Sequence, residues 1–436
     1  MKTFCLVVQG VYDIDPRVRR KAEALVEAGS SVDVLALRAA DGQKCYSLNG
    51  VNVRTISLGK KRGSLARYAF EYVAFFVWAL LRLTIQTPSR RYAVIDVNTL
   101  PDFLIFAAAP AKCLGTKVVL DMHEITPEFY RSKYGVPENS FWIRFLKYLE
   151  KISFRFADHV ITINEPIQDL LVGRGLDRAT STVIMNSVDE SRFAAGASTS
   201  LAPQTVREDH RFVMIYHGTL TRLYGLDIAV EAFALVKEEM PGAELWIVGS
   251  GTEMPALVRL AKERGIAAQV KLIGQVPSTE IPEWLAKADV GILPIRRDVF
   301  LDFAFPNKLP EFIVANKPVI VSRLRGIQTY FSENALAYCE PNDPASLSQQ
   351  MLRLYRSPEL RAALCVRAGQ EYGPIRWSVM KERYLPEAKW PSWPNLPCPL
   401  TRMPTEEITV RRLSARSSPT RRWEARRLPM PTKARR

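Results

Sequence analysis

Short apolar, β-prone runs alternate with stretches of helical spacing along most of this chain. Phe4–Val8 predicts a first strand, and Gly10 opens a loop that ends at Asp15-Pro16. Arg17–Ala28 then repeats apolar residues at Val18, Ala22, Leu25 and Val26, with Pro16 at its start and Gly29 just past its end. Ser31–Leu37 predicts the next strand, so the chain opens with a βαβ unit and a parallel sheet. Further strands are predicted near Val51–Ile56, Ala93–Val97, Thr116–Leu120, His159–Ile163 and Thr182–Met185.

Residues 194–210 are rich in Ala, Ser, Gly and Pro without periodicity, which predicts a linker. A second alternating series follows. Its predicted strands are Phe212–Tyr216, Ala243–Val248, Val270–Ile273, Val290–Leu293 and Pro318–Ser322. Its predicted helices are Leu226–Glu239, Glu253–Glu263, Ser278–Ala286, Leu309–Ala315 and Pro344–Arg353. The expected fold class is therefore α/β, with two Rossmann-like domains facing a central cleft. The first covers residues 1–193, the second 211–375, and a C-terminal segment 376–390 closes the pattern. In open parallel sheets ligands bind beyond the C-terminal strand ends, so function belongs in the loops after strands.

Composition adds little to the core and more to the tail. The chain has 436 residues, 47% hydrophobic and 24% charged, as folded globular proteins do. Sixty Lys and Arg against 45 Asp and Glu give a net charge of +15. Residues 391–436 hold 11 of those cations against 3 acids and lack apolar periodicity, which predicts a disordered basic tail. Six scattered cysteines without a C-x-x-C pair predict reduced thiols and no metal. Met1–Val8 is too short an apolar run for a signal peptide, and no run of about 18 apolar residues predicts a spanning helix. The cytoplasm is the expected compartment, with attachment to the inner face of the membrane as a second expectation.

The segment Phe305-Pro306-Asn307-Lys308-Leu309-Pro310-Glu311 carries the most chemistry. Asn307 is expected to cap a helix in whose first turn Pro310 is tolerated. A helix N-terminus beside Lys308 would attract an anion. Glu311 could accept two hydrogen bonds from a ribose diol or simply complement the helix dipole.

This segment, running on to Pro318-Val319-Ile320, resembles the P-N-K-x-x-E stretch of the retaining GT-B glycosyltransferases of family 4. Five other places agree in order. They are Asp15-Pro16-Arg17-Val18-Arg19-Arg20; Asp121-Met122-His123-Glu124 with Pro127; Met185-Asn186-Ser187-Val188-Asp189 with Phe193; Tyr216-His217-Gly218-Thr219-Leu220 with Arg222 and Gly225-Leu226-Asp227; and Val248-Gly249-Ser250-Gly251. The resemblance spans residues 4–390 and implies GT-B architecture. It also implies a nucleotide-sugar donor held mainly by the second domain, with no metal and no cofactor. Glu311 would then bind the ribose, and Arg222 and Lys308 the diphosphate. Gly10, Gly218, Gly249, Gly251 and Asn307 would line the donor. His123 would contact the transferring sugar near its reacting carbon, and Glu124 would orient a sugar or acceptor hydroxyl unless it forms a salt bridge. His217 fits either donor-site lining or core.

Two departures from the family pattern alter these expectations. Tyr224 stands where the family often has lysine, and Thr219 where it has arginine, which leaves Arg222 and Lys308 as the phosphate cations. The family's E-x7-E pair places its first glutamate where this chain has Phe303, with Asp302 one position off. Asp302, or the backbone N–H groups of Phe303–Phe305, would then meet the sugar.

The implied activity is transfer of a sugar, with retention, to a hydroxyl of a glycan, lipid-linked or small-molecule acceptor. Tyr68–Leu83 is rich in aromatic residues and flanked by Lys60, Lys61, Arg62, Arg67 and Arg82. It predicts either a helix in an anionic membrane surface or one buried on the sheet. Two alternative readings stand beside this one. A GT-B epimerase needs further acid/base carboxylates that are not evident, and a nucleic-acid binder using the tail lacks a reading motif. A nicotinamide enzyme is weaker still, because Gly10-Val11-Tyr12-Asp13 carries no G-x-G-x-x-G.

Overall fold

The first strand, β1 (Thr3–Val11), shows how the sequence builds the first sheet. Phe4, Leu6 and Val8 enter one buried layer while Cys5 and Val7 enter the other, the period of two that a strand covered on both faces requires. The computed structural model describes residues 1–58, 65–190 and 211–385. The expected linker and the basic tail lie outside the described residues, as does the end of the 376–390 segment.

The first sheet continues with β2 (Ser31–Leu37), β3 (Cys45–Leu48), β4 (Val51–Ile56), β5 (Val94–Asn98), β6 (Lys117–Met122), β7 (His159–Thr162) and β8 (Ser181–Val183). Their order is β3-β4-β2-β1-β5-β6-β7-β8, parallel throughout except for the β3–β4 hairpin. The second sheet comprises β9 (Phe212–His217), β10 (Ala243–Val248), β11 (Val270–Gly274), β12 (Val290–Leu293), β13 (Val319–Ser322) and β14 (Ala337–Cys339). Its order is β11-β10-β9-β12-β13-β14, all parallel. In each sheet the first strand is central and the order reverses beside it, between β1 and β5 and between β9 and β12. Those switch points open crevices at the C-terminal strand ends. The α/β class with two parallel-sheet domains is as expected.

Three local differences from the sequence pattern matter. The expected loop at Gly10 is still strand: β1 runs on to Val11 through a register shift after Val7. A 3₁₀ turn, Tyr12–Ile14, follows, and Asp15 then accepts hydrogen bonds from Arg17 N and Val18 N at 3.1 Å each and so starts helix Pro16–Glu27. The hairpin strand β3 and the edge strand β14 were not legible as strands.

The aromatic segment forms helix Leu65–Arg90, longer than expected. Phe75, Ala79 and Leu83 are fully buried against the first sheet, with Phe76 and Trp78 half-buried beside them. Of the aromatics that suggested a membrane surface, Phe75 faces the core, while Phe70 faces out. The exposed stripe is Phe70, Val73, Val77, Leu81 and Ile85.

The two sheets belong to one compact unit, Met1–Leu396, whose halves meet in more than one region. Phe129 packs edge-on against Phe300 at 5.5 Å, Ser132 donates to Asp298, and Asn164 Nδ2 donates to the Phe303 carbonyl at 2.8 Å. Elsewhere helix Trp377–Tyr384 returns to the first sheet, and the Tyr384 hydroxyl donates to Asp96 Oδ2 at 2.8 Å.

Candidate active site

Strand register creates the first half of the site. Asn98, the last residue of β5, is paired with Asp121 of β6, so two polar side chains meet at the C-terminal edge of the sheet. Helix Pro16–Glu27 lies over that edge and sends Arg17 and Lys21 into it. Arg17 donates through Nε to Asp121 Oδ2 at 2.9 Å and through Nη2 to Oδ1 at 2.7 Å, a bidentate pair. Lys21 Nζ donates to Asp121 at 2.5 Å and to Asp96 and Asn98 at 2.8 Å each. Lys21, Asp96 and Asp121 are all buried, a composition that survives only because each charge is paired and hydrogen-bonded. Burial alone would raise the Asp121 carboxyl, but Arg17 and Lys21 hold it well below the usual carboxylate range.

His123 follows β6 and is held by this network. Its Nε2 lies 3.0 Å from Asn98 Oδ1 and 3.4 Å from Asp121 Oδ2. Lys21 already donates to the same Asn98 oxygen. Both neighbours therefore act as acceptors, which assigns a hydrogen to Nε2 and leaves Nδ1 uncommitted by these contacts. Burial pushes the neighbouring Glu124 carboxyl upward, with His123 and Lys133 opposing.

The second half stands at the ends of β9 and in the loop after β12. Lys308 begins helix Lys308–Val314, and its ammonium lies 4.1 Å from the Tyr224 ring centroid and 5.5 Å from that of Tyr216. Gly218, at φ +121°, passes directly under it: a Cβ there would come within 2.2 Å of Lys308 Cε. Burial lowers the Lys308 ammonium to about 8, with Glu311 pulling the other way. Glu311 Oε2 is 3.3 Å from Nε2 of the buried His217, a nitrogen without a hydrogen-bond partner. Burial, reinforced by Lys308, pushes His217 down to about 3, so it is neutral at pH 7. His217 also packs edge-on against Phe312 at 5.1 Å, placing it at the junction of core and site.

The halves sense one another. Burial and then the Glu124 carboxylate push the Tyr224 phenol upward, and Arg20 of the first domain feels Glu311 of the second. Arg20 Nε is buried without a hydrogen-bond partner, and its guanidinium lies 5.5 Å from the Trp377 ring centroid.

Several expected site residues are placed differently. Asn307 occupies the N-cap position, but its side chain caps nothing and is exposed. The helix it precedes has only seven residues, so anion attraction rests on Lys308 itself. Gly249 and Gly251 make room for the chain: a Cβ on Gly249 would lie 1.9 Å from the Gly218 carbonyl oxygen, and one on Gly251 2.1 Å from that of Leu220. Gly10 has an ordinary φ, and its Cβ would meet nothing closer than 3.4 Å. Arg222 is exposed on a short 3₁₀ turn. Asp302 pairs with Arg297 Nε at 3.2 Å and accepts from Arg325 N at 3.4 Å. The Phe303 and Ala304 N–H groups are spent on the Phe300 and Leu301 carbonyls. Among the described residues no group of three or more His, Cys, Asp or Glu could hold a metal ion.

Sequence reasoning passed over Lys21, Asp96 and Asn98. The available signals were an acid inside the apolar strand β5 and a lysine between Val18 and Leu25 on a buried helix face.

Two α/β domains with facing crevices define the GT-B fold, and solved structures share it. Sucrose-phosphate synthase from Thermosynechococcus elongatus matches with a TM-score of 0.68 at 17% identity, over 88% of this chain and 97% of that one. Anabaena Alr3699/HepE in complex with UDP matches with a TM-score of 0.63 at 16% identity, over 88% of this chain and 98% of that one. Residues 14–187 match the "glycosyl transferase 4-like domain" and residues 211–357 the "glycosyl transferases group 1" model. The chain belongs to the group 1 glycosyltransferases. EpsD of Bacillus subtilis (strain 168) is 27% identical over 274 residues, 61% of this chain and 66% of EpsD. Glycogen synthase of Mycobacterium tuberculosis (strain CDC 1551 / Oshkosh) is 26% identical over 208 residues, 47% of each chain. The matches thus span about half to just under two thirds of these relatives' length.

Proposed function

We propose that this protein transfers a sugar from a nucleoside diphosphate sugar to a hydroxyl of a glycan, lipid-linked or small-molecule acceptor, with retention at the anomeric carbon. One observation carries the reading: Lys308 and Glu311 share the first turn of one helix, with the Tyr224 ring centroid 4.1 Å from the ammonium, and helix Thr126–Tyr134, which follows His123–Glu124, packs on the second domain through Phe129 and Phe300 at 5.5 Å. A cation and a ribose-binding acid from one domain thus share a cleft with His123–Glu124 of the other.

In this reading the diphosphate lies at Lys308, whose charge opposes the negative charge that grows as the sugar leaves. Gly218 lets a phosphate approach the backbone at the same place, and exposed Arg222 adds a second cation. Glu311 accepts from the ribose hydroxyls. The ring of His123, fixed by Asn98 and Asp121, meets the transferring sugar, and Glu124 orients a hydroxyl. The departing diphosphate takes the acceptor proton on the same face, which yields retention without a protein nucleophile and uses binding for positioning. Fixed cations take the place of a divalent ion. Asp302, held by Arg297, is not assigned a sugar contact.

The test is thermal stabilisation by a panel of UDP-, GDP- and ADP-sugars, because a ligand that binds only the native state raises its melting temperature. UDP-sugars come first, since HepE was solved with UDP. Anomeric NMR of the product then reads the stereochemistry. Absence of stabilisation by every donor would overturn the reading, and an inverted product would overturn retention alone.

A further inference from the structure

Helix Phe141–Phe156 inverts the usual amphipathic arrangement on its outer side. Ser140 caps it, Ile143, Ser153 and Phe154 are buried, and Glu150 turns inward to Arg174. What remains outside is aromatic and basic. Phe141 is 71% exposed, Trp142 66%, Tyr148 60% and Phe145 41%. Phe141, Trp142 and Phe145 touch one another at centroid distances of 5.5–6.4 Å, so they form one patch. Large rings left in water at this density are costly unless something covers them.

The charge around the patch has one sign. Residues 126–156 contain six Lys and Arg and three Glu. Two of those acids, Glu128 and Glu150, are buried against Arg174. The third, Glu138, is met by Arg131 at 3.2 Å and Lys147 at 3.0 Å. Arg144, Lys151 and Arg155 remain exposed among the rings.

The exposed stripe of helix Leu65–Arg90 lies on the same side of the first sheet. Both helices pack on the segment Asp102–Ala108, through Phe76–Phe103 at 5.9 Å and Phe106–Phe156 at 5.0 Å. Among the described residues no helix is long and apolar enough to cross a membrane, so such a face can only lie flat on one. A second copy of the chain would set two basic surfaces against each other, which like charges oppose. Tyrosine and tryptophan with flanking cations are the residues that suit the boundary between headgroups and acyl chains.

We propose that this face of the first domain, centred on Phe141, Trp142, Phe145 and Tyr148, seats the protein on an anionic lipid bilayer. The rings enter the acyl boundary and the arginines and lysines meet anionic headgroups. Helix Thr126–Tyr134, which follows His123–Glu124 and touches the second domain through Phe129, leads directly into this face. It would bring a lipid-linked acceptor to the cleft. That last clause rests on the transfer reading; the attachment does not.

The measurement is flotation of the full chain with vesicles of phosphatidylcholine, with and without phosphatidylglycerol. Binding should need the anionic lipid and weaken with salt. Replacing Phe141, Trp142 and Phe145 together by Ser should lower partitioning at least about tenfold while the melting temperature is kept. Because the basic tail could bind anionic vesicles unaided, brominated lipid provides the local readout. It should quench a component of tryptophan emission that Trp142→Phe removes. Unchanged partitioning in the triple variant, or quenching unaltered by Trp142→Phe, overturns the proposal. So does a dimer that the same substitutions dissociate, which would make the face a chain–chain contact. No donor is present in these assays, so this inference and the transfer reading can fail separately.

Discussion

Tyr224 and Lys308 form a single contact, the ammonium 4.1 Å from the phenol ring centroid. Where the family often carries a second lysine, this chain places an aromatic face under the first. The ring tolerates a cation without adding charge, so the pocket holds one buried ammonium whose proton is loosened by burial.

That loosening sets a pH limb. Lys308 must be protonated to oppose the diphosphate, and in the free protein it loses its proton as pH rises through about 8. We expect kcat/KM for donor to fall above that pH, with the limb absent in Lys308→Arg if that variant remains active. A flat profile from pH 7 to 9.5 would show that this ammonium does not bind the donor.

Lys308 and Glu311 should fail differently. Glu311→Gln weakens a ribose contact present in ground and transition states alike, so donor KM rises more than kcat falls. Lys308→Ala removes a cation from the departing group, and kcat should fall on the order of 10²-fold. Equal turnover and affinity in both folded variants would discard the assignment of this helix.

The glycines separate backbone from ligand. Gly249→Ala drives a Cβ into the Gly218 carbonyl at φ +142° and should cost more than about 2 kcal/mol of stability. Gly10→Ala meets no such obstacle and should leave the melting temperature within a degree or two, roughly. If the donor approaches Gly10, its KM still rises. An unchanged KM would remove Gly10 from the donor site.

Asp102 supplies a stability test. It is buried, and burial raises its carboxyl to about 7, against the Thr126 hydroxyl that donates to it at 2.8 Å. The native state therefore keeps a proton that the unfolded chain releases above about pH 4, and stability from this group is lost as pH rises toward 7. Relative to wild type, Asp102→Asn should gain melting temperature progressively from pH 4.5 to 7.5. Buried His159 and His217 titrate the opposite way, so the difference between the two proteins is the quantity to read.

Turnover should persist in excess EDTA, because Lys308 and Arg222 are assigned the charge a divalent ion would supply. Loss of activity restored specifically by Mn²⁺ or Mg²⁺ would reverse that assignment.

What the sequence alone determined is what neighbouring residues decide. The apolar, β-prone run Phe4–Val8, the Pro16 and Gly29 boundaries of the first helix, and the two βα series are local patterns, and they led to two parallel sheets. The order Phe305–Glu311 likewise placed a cation and an acid on one helix turn. Tertiary structure decided which partners those residues meet. Arg17 reaches Asp121 across 104 residues, and Tyr384 reaches Asp96 across 288. Nothing within one segment could show that Lys21 is buried between two acids. Nor could it show that Gly249 makes room for Gly218, or that Phe75 faces the sheet while Trp142 faces out. Burial and charge pairing belong to the packed chain, because the cost of desolvating a group depends on everything folded around it.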